Sequence, residues 1–175
     1  MSLKLFEGAI TATAPSNLID ASDIRQVPDT QEVFLFSDSS VSIIVEILER
    51  VEPTNYEEAI KFHFDSLAHD NNASSEKIDS INIIPNDRED NTPSAIVLSG
   101  RQSVPKYTCT QPDEVRIYMA LYRVPEKPID LVVTFNVPVA SLDGGAVDAE
   151  GVKTIERHFD TFVRSLRIID FRLFA

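Results

Sequence analysis

Val41-Ser-Ile-Ile-Val-Glu-Ile-Leu-Glu-Arg-Val51 satisfies two periods at once, and the choice between them decides the architecture. Ile43, Ile44, Ile47, Leu48 and Val51 fall on one helical face, and Glu46 with Arg50 has the i,i+4 spacing of a helical ion pair. Ile43, Ile44 and Val45, however, are β-branched in succession, a pattern that loses rotamer freedom in a helix and packs well on a pleated sheet. The run also follows a strand-like segment, Gln31-Glu-Val-Phe-Leu-Phe36, across the polar turn Ser37-Asp-Ser-Ser40. A hairpin is expected, with 41–51 as its second strand.

Upstream, residues 3–14 read as extended, ended by Pro15, and residues 20–30 as an irregular stretch with one helical turn after Asp20. Downstream, Thr54 and Glu57 have the spacing of a capping box, opening a helix marked by Tyr56, Ala59, Ile60, His63, Phe64 and Leu67. After a loop over 70–75, residues 77–84 alternate only partly, while strands are expected in 95–99, 115–124 and 131–137. In the last of these Leu131, Val133, Phe135 and Val137 share a face. Residues 138–151 read as loop. The clearest element follows: Val152, Ile155, Phe159, Phe162, Val163 and Leu166 form a helical stripe, before a return to strand at 167–170. Strands in succession with two well-separated helices indicate an α+β layered fold with a mainly antiparallel sheet, as one domain over 1–175.

Composition narrows the function classes. Of 175 residues, 28 are acidic and 16 basic, a net charge of −12, which disfavours nucleic acid and anionic membrane as partners. A 43% hydrophobic content suffices for a core, and no apolar run is long enough to span a membrane. The single cysteine, Cys109, excludes an internal disulfide framework, and its setting, Lys-Tyr-Thr-Cys-Thr, suggests a loop rather than a nucleophile. The N-terminus lacks the features of a signal peptide. A soluble intracellular chain, working as a monomer, is expected.

The charge is uneven. Residues 1–90 hold 18 acids and 6 bases (6 − 18 = −12), whereas residues 91–175 hold ten of each. The excess suits either a solvated face or an acidic docking surface for a basic protein. Five glycines make no phosphate loop or dinucleotide fingerprint, the three histidines (63, 69 and 158) have no ligand spacing, and no nucleophile elbow occurs. No cofactor, metal or catalytic residue is expected.

The densest polar stretch is Asp20-Ala-Ser-Asp-Ile-Arg-Gln-Val-Pro-Asp-Thr-Gln-Glu-Val-Phe34. Each polar residue has a structural role open to it. Asp20 can cap a helical turn, Asp29 can bond its own downstream backbone after Pro28, Arg25 can pin the loop by pairing with either acid, and Glu32 can face solvent from a strand.

The same stretch carries a family likeness. Phe6-Glu-Gly-Ala-Ile10, Leu18-Ile-Asp-Ala-Ser22, Arg25-Gln-Val-Pro-Asp-Thr-Gln-Glu-Val-Phe34 and Ser42-Ile-Ile-Val-Glu-Ile-Leu-Glu49 resemble the Ran guanine nucleotide release factor family, the Mog-type nuclear import proteins. Phe62-His-Phe-Asp65, Val97-Leu-Ser-Gly100, Leu131-Val-Val-Thr-Phe-Asn-Val-Pro138 and the terminal Asp170-Phe-Arg-Leu-Phe-Ala175 are similar too, so the likeness runs nearly the whole chain. One departure is Glu7, where the family tends to have glycine. The resemblance implies a Mog/PsbP-like α/β/α sandwich and a strand at 42–49. It also implies a non-catalytic regulator that binds the small GTPase Ran and promotes release of its nucleotide, in the nucleus with a cytoplasmic pool. By motif match it places Ran-binding acids at Asp20, Asp29 and Glu32, with Arg25 at the family's arginine position. The alternative is an acidic adaptor that binds Ran or another basic partner without affecting exchange. A photosystem-type subunit of the same fold would be expected to carry a transit peptide, and the first strand here starts near residue 3.

Overall fold

A computed structural model describes residues 1–105, 111–141 and 144–175. In chain order its elements are β1 (Ser2–Leu5), β2 (Ile10–Thr13), β3 (Leu18–Asp20), β4 (Gln31–Phe36), β5 (Ser42–Glu49), α1 (Tyr56–Asp70), β6 (Ser75–Ile84), β7 (Ala95–Val104), β8 (Asp113–Arg123), β9 (Ile129–Ala140), α2 (Ala149–Ser165) and β10 (Arg167–Ile168). Short 3-10 turns occupy Phe6–Gly8, Ala21–Asp23 and Phe171–Phe174. A seven-stranded sheet runs in the order β3-β4-β5-β9-β8-β7-β6, and a smaller one in the order β1-β2-β10. Every pairing among these strands is antiparallel. The fold is α+β, as expected.

The ambiguous run is a strand because both its edges are paired, to β4 and to β9, and one face is buried. Ile43 and Val45 point into one core, while their partners across β9, Phe135 and Val133, fill the same layer. Alternation along β8 and β9 separates two apolar clusters on the two faces of the large sheet. Tyr118, Ala120, Tyr122, Leu131, Val133 and Phe135 meet Ile155, Phe159 and Phe162 of α2. On the other face Ile117, Met119, Leu121 and Val132 meet Ala59, Ile60 and Phe64 of α1. Phe135 lies edge-on to Phe159 and Phe162, with centroids 5.2 and 5.6 Å apart. Gly100 permits the α1 contact, since a Cβ there would come within 2.8 Å of the Phe64 ring.

Three expectations are corrected. Residues 3–14 are two strands, not one: Ser2 pairs with Thr13 and Leu5 with Ile10, the chain reversing at Phe6–Gly8. That reversal uses three consecutive left-handed residues, Phe6 (φ +50°), Glu7 (φ +58°) and Gly8 (φ +91°). The cap of α1 is Asn55 rather than Thr54, its Oδ1 accepting from the Glu58 amide at 3.1 Å. The expected loop over 138–151 is shorter, because β9 continues to Ala140 and α2 begins at Ala149. The placement of Cys109 lies outside the described residues.

His63 is buried on α1 in a charged network. Its Nε2 lies 2.8 Å from Asp130 Oδ2, while Arg123 Nε donates to Asp130 Oδ1 at 3.0 Å. Arg123 also donates to the carbonyls of Val51 and Pro53, at 2.8 and 2.6 Å, fastening the connection from β5 to α1 against the β8–β9 hairpin. Although desolvation opposes it, hydrogen bonds from His63, Arg123 and the Val51 amide hold the Asp130 carboxyl below the usual aspartate range.

Candidate functional site

The loop between β3 and β4 and the reversal between β1 and β2 meet around an open depression of 450 Å³. Asp20, Asp29 and Glu32 line it together with Phe6, Glu7 and Leu173. Three of the four expected residues are thus brought together; Arg25 is not among the lining residues.

Asp20 ends β3 and caps the following turn, its Oδ1 accepting from the Ser22 amide at 2.9 Å and the Ser22 hydroxyl at 2.7 Å. Asp29 occupies a tight turn in which the Gln31 amide donates to the Pro28 carbonyl at 2.9 Å. Among the described residues the Asp29 carboxylate makes no bond to its downstream backbone, and it is exposed. Proline fixes the turn here, so the aspartate side chain is not needed to hold it.

Glu32 departs from the solvent-facing role open to it. It lies on the same side of β4 as the core residues Phe34 and Phe36, and its Oε1 accepts from the Phe6 amide at 2.6 Å. Burial pushes its carboxyl above the ordinary glutamate range. The Phe6 amide pulls the other way, and the Asp20 charge adds to the rise.

Arg25 does not pin the loop through its side chain. Among the described residues no ion pair joins it to Asp20 or Asp29; its part in the turn is its backbone amide, which donates to the Ala21 carbonyl at 2.9 Å. The guanidinium is exposed beside Ile24, whose side chain is 66% exposed.

Sequence reasoning missed the other wall. Glu7 adds a fourth carboxylate, and Phe6 and Leu173 supply an apolar border, from opposite ends of the chain. Spacing along the sequence gives no sign that residues 6 and 173 meet. The one available signal was the departure at Glu7, which takes left-handed backbone that suits glycine better. Among the described residues no group of three or more His, Cys, Asp or Glu side chains could hold a metal ion. No helix among them is long and apolar enough to cross a membrane.

The sequence pattern of the family described as Ran-interacting Mog1 protein matches residues 3–138. The chain is 32% identical to the Ran guanine nucleotide release factor of Danio rerio, over 100% of both chains. It is 29% identical to the nuclear import protein MOG1 of Saccharomyces cerevisiae, over 99% of this chain and 84% of the yeast protein. The crystal structure of the Saccharomyces cerevisiae Ran-binding protein Mog1p superposes with a TM-score of 0.77 at 27% identity, covering 100% of this chain and 98% of that one. Pattern, full-length relatives and fold agree: the chain belongs to the Ran-interacting Mog1 protein family.

Proposed function

We propose that this chain binds the small GTPase Ran and promotes release of its guanine nucleotide, as a non-catalytic regulator supporting nuclear protein import. The observation that carries the reading is the convergence of Asp20, Asp29 and Glu32 on one depression in a chain of the Mog1 family. A role in nuclear import fits the names of its yeast relatives, nuclear import proteins, and places its work in the nucleus with a cytoplasmic pool.

A nucleotide held at picomolar affinity is bound by about 16 kcal/mol. A release factor need not supply all of this. It must bind the vacant GTPase better than the filled one, and by reciprocity the nucleotide then loosens the factor by the same amount. Carboxylates suit the task because they repel phosphate, compete for Mg²⁺ and pair with the lysine that phosphates leave behind.

The four residues divide the work. Asp29, exposed and free of backbone bonds, provides the competing charge. Glu32 contributes charge from a position anchored to Phe6. Asp20 shapes the loop through Ser22, and the exposed Arg25 faces the partner.

Asp29→Lys is the cleanest test, since the side chain is exposed and its loss leaves the Pro28–Gln31 turn intact. Release of fluorescent GDP from Ran, accelerated by the wild-type chain, should fall to near the unassisted rate with this variant at unchanged thermal stability. Acceleration equal to wild type would overturn the assignment, and binding without acceleration by the wild-type chain would favour the adaptor reading.

A further inference from the structure

A second concave surface lies on the opposite face of the large sheet. Helix α1 lies over β6, β7 and β8 and leaves the neighbouring half of that face open. Along the helix margin runs a groove of 340 Å³, lined by the half-buried Leu48, Val51 and Leu67 over the buried Met119 and Val132. Phe62, on the α1 wall, is 49% exposed. Beyond the groove the apolar surface continues across the sheet. Ile19 pairs with Leu35, and Ile44 lies opposite the buried Val33, on the side of β4 away from Phe34 and Phe36. Ile19, Leu35 and Ile44 belong to neither core cluster.

The charge around this groove has one sign. Glu46, Glu49 and Asp70 line it, and among the described residues no lysine or arginine does. The remaining ionisable wall residue, His63, is engaged with buried Asp130. Burial pushes the Glu46 carboxyl above the usual range, the Gln31 hydrogen bond and His63 pull it down, and the Asp70 charge adds to the rise. An anionic rim around an apolar floor excludes nucleic acid and anionic lipid and complements a cationic amphipathic segment, whose apolar face would fill the floor while its cations meet the rim.

We propose that this groove is a second docking site, which takes a Lys- or Arg-bearing amphipathic helix of a protein partner. It shares no lining residue with the depression at Asp29 and Glu32. The two surfaces meet where β4 pairs with β5: Gln31 lies opposite Glu46, and its Nε2 donates to Glu46 Oε2 at 3.1 Å. The inference stands independently of the Ran reading, because it rests on a different face and a different set of side chains.

The test uses the full chain and a labelled synthetic peptide of about 18 residues with Leu on one helical face and Lys on the other, followed by fluorescence anisotropy. A scrambled peptide of the same composition and a Leu/Glu peptide serve as comparisons. The amphipathic Lys peptide is expected to bind one per chain, and Phe62→Ser and Glu46→Gln should each weaken it about tenfold. Glu150→Lys, on exposed α2 behind the sheet, should leave it unchanged. Should Phe62→Ser fold poorly, Glu49→Lys at an exposed position carries the same expectation. Equal binding of the scrambled peptide, or an equal loss with Glu150→Lys, would reduce the effect to general acidity and overturn the proposal. A wild-type dimer in sedimentation that Phe62→Ser converts to monomer would overturn it too, by showing a second copy as the occupant.

Discussion

Glu32 Oε1 accepts a 2.6 Å hydrogen bond from the amide of Phe6, tying the start of β4 to the reversal between β1 and β2. A carboxylate proposed to face Ran therefore also holds together two walls of its own site. Substitution separates the roles. Glu32→Ala leaves the Phe6 amide without its acceptor and should cost about 1–2 kcal/mol in chemical denaturation. Glu32→Gln keeps an acceptor oxygen and removes the charge, so it should lose less stability while still weakening the contact with Ran.

The same residue predicts a pH dependence. Its folded pKa lies above the ordinary value of 4.5, so the fold favours the protonated form. Its contribution to stability is complete below the unfolded pKa and is lost as pH rises through the folded one. Relative to wild type, Glu32→Gln should therefore gain stability between acid and neutral pH, as denaturation midpoints at pH 4 and pH 7 would reveal.

Glu7 adopts φ +58° between Phe6 at +50° and Gly8 at +91°. A side chain in left-handed backbone is strained, and glycine is not. Glu7→Gly should raise stability by about 0.5–1 kcal/mol, measurable as a higher denaturant midpoint, while removing one charge from the site.

Asp90 anchors the β6–β7 connection to the end of α2. It accepts from the Thr92 amide at 2.9 Å and pairs with Arg88 Nε at 2.8 Å, and Arg88 in turn donates to the carbonyls of Arg164 and Leu166. Desolvation works against ionisation here, but hydrogen bonds from Thr92, Arg88 and Asn86 outweigh it and hold the carboxyl well below the usual range. A depressed pKa stabilises the fold above the unfolded value of 3.8, and this is lost as pH falls towards the folded value. Asp90→Asn should cost about 1–3 kcal/mol at neutral pH and flatten the acid limb of the stability profile.

Arg123→Leu tests the buried network. Asp130 is fully buried, and removing its partner leaves an uncompensated charge against His63. The expected loss is about 3–5 kcal/mol, read from urea unfolding, and it should exceed that of any surface charge substitution.

Much of this architecture is legible along the chain. The alternation of Leu131, Val133, Phe135 and Val137 and the helical stripe from Val152 to Leu166 name the residues that meet in one core. Local propensity also places the turn after Asp20. What escapes is whatever depends on contact between distant segments. The hairpin at Phe6–Gly8 was hidden because Glu7 stands where the left-handed reversal would favour glycine. The anchoring of Glu32 by Phe6 joins residues 26 positions apart, and the Leu173 border comes from the far terminus. Arg25 looked like a natural partner for the neighbouring acids, yet proline and capping bonds already fix that loop.

Nucleotide release by this chain requires a difference in affinity, read from the dissociation constant of the wild-type chain for Ran stripped of nucleotide against Ran loaded with GDP or GTP. Markedly tighter binding to the vacant form is expected, with the advantage shrinking in the Asp29→Lys variant. Equal affinity for vacant and filled Ran would contradict it.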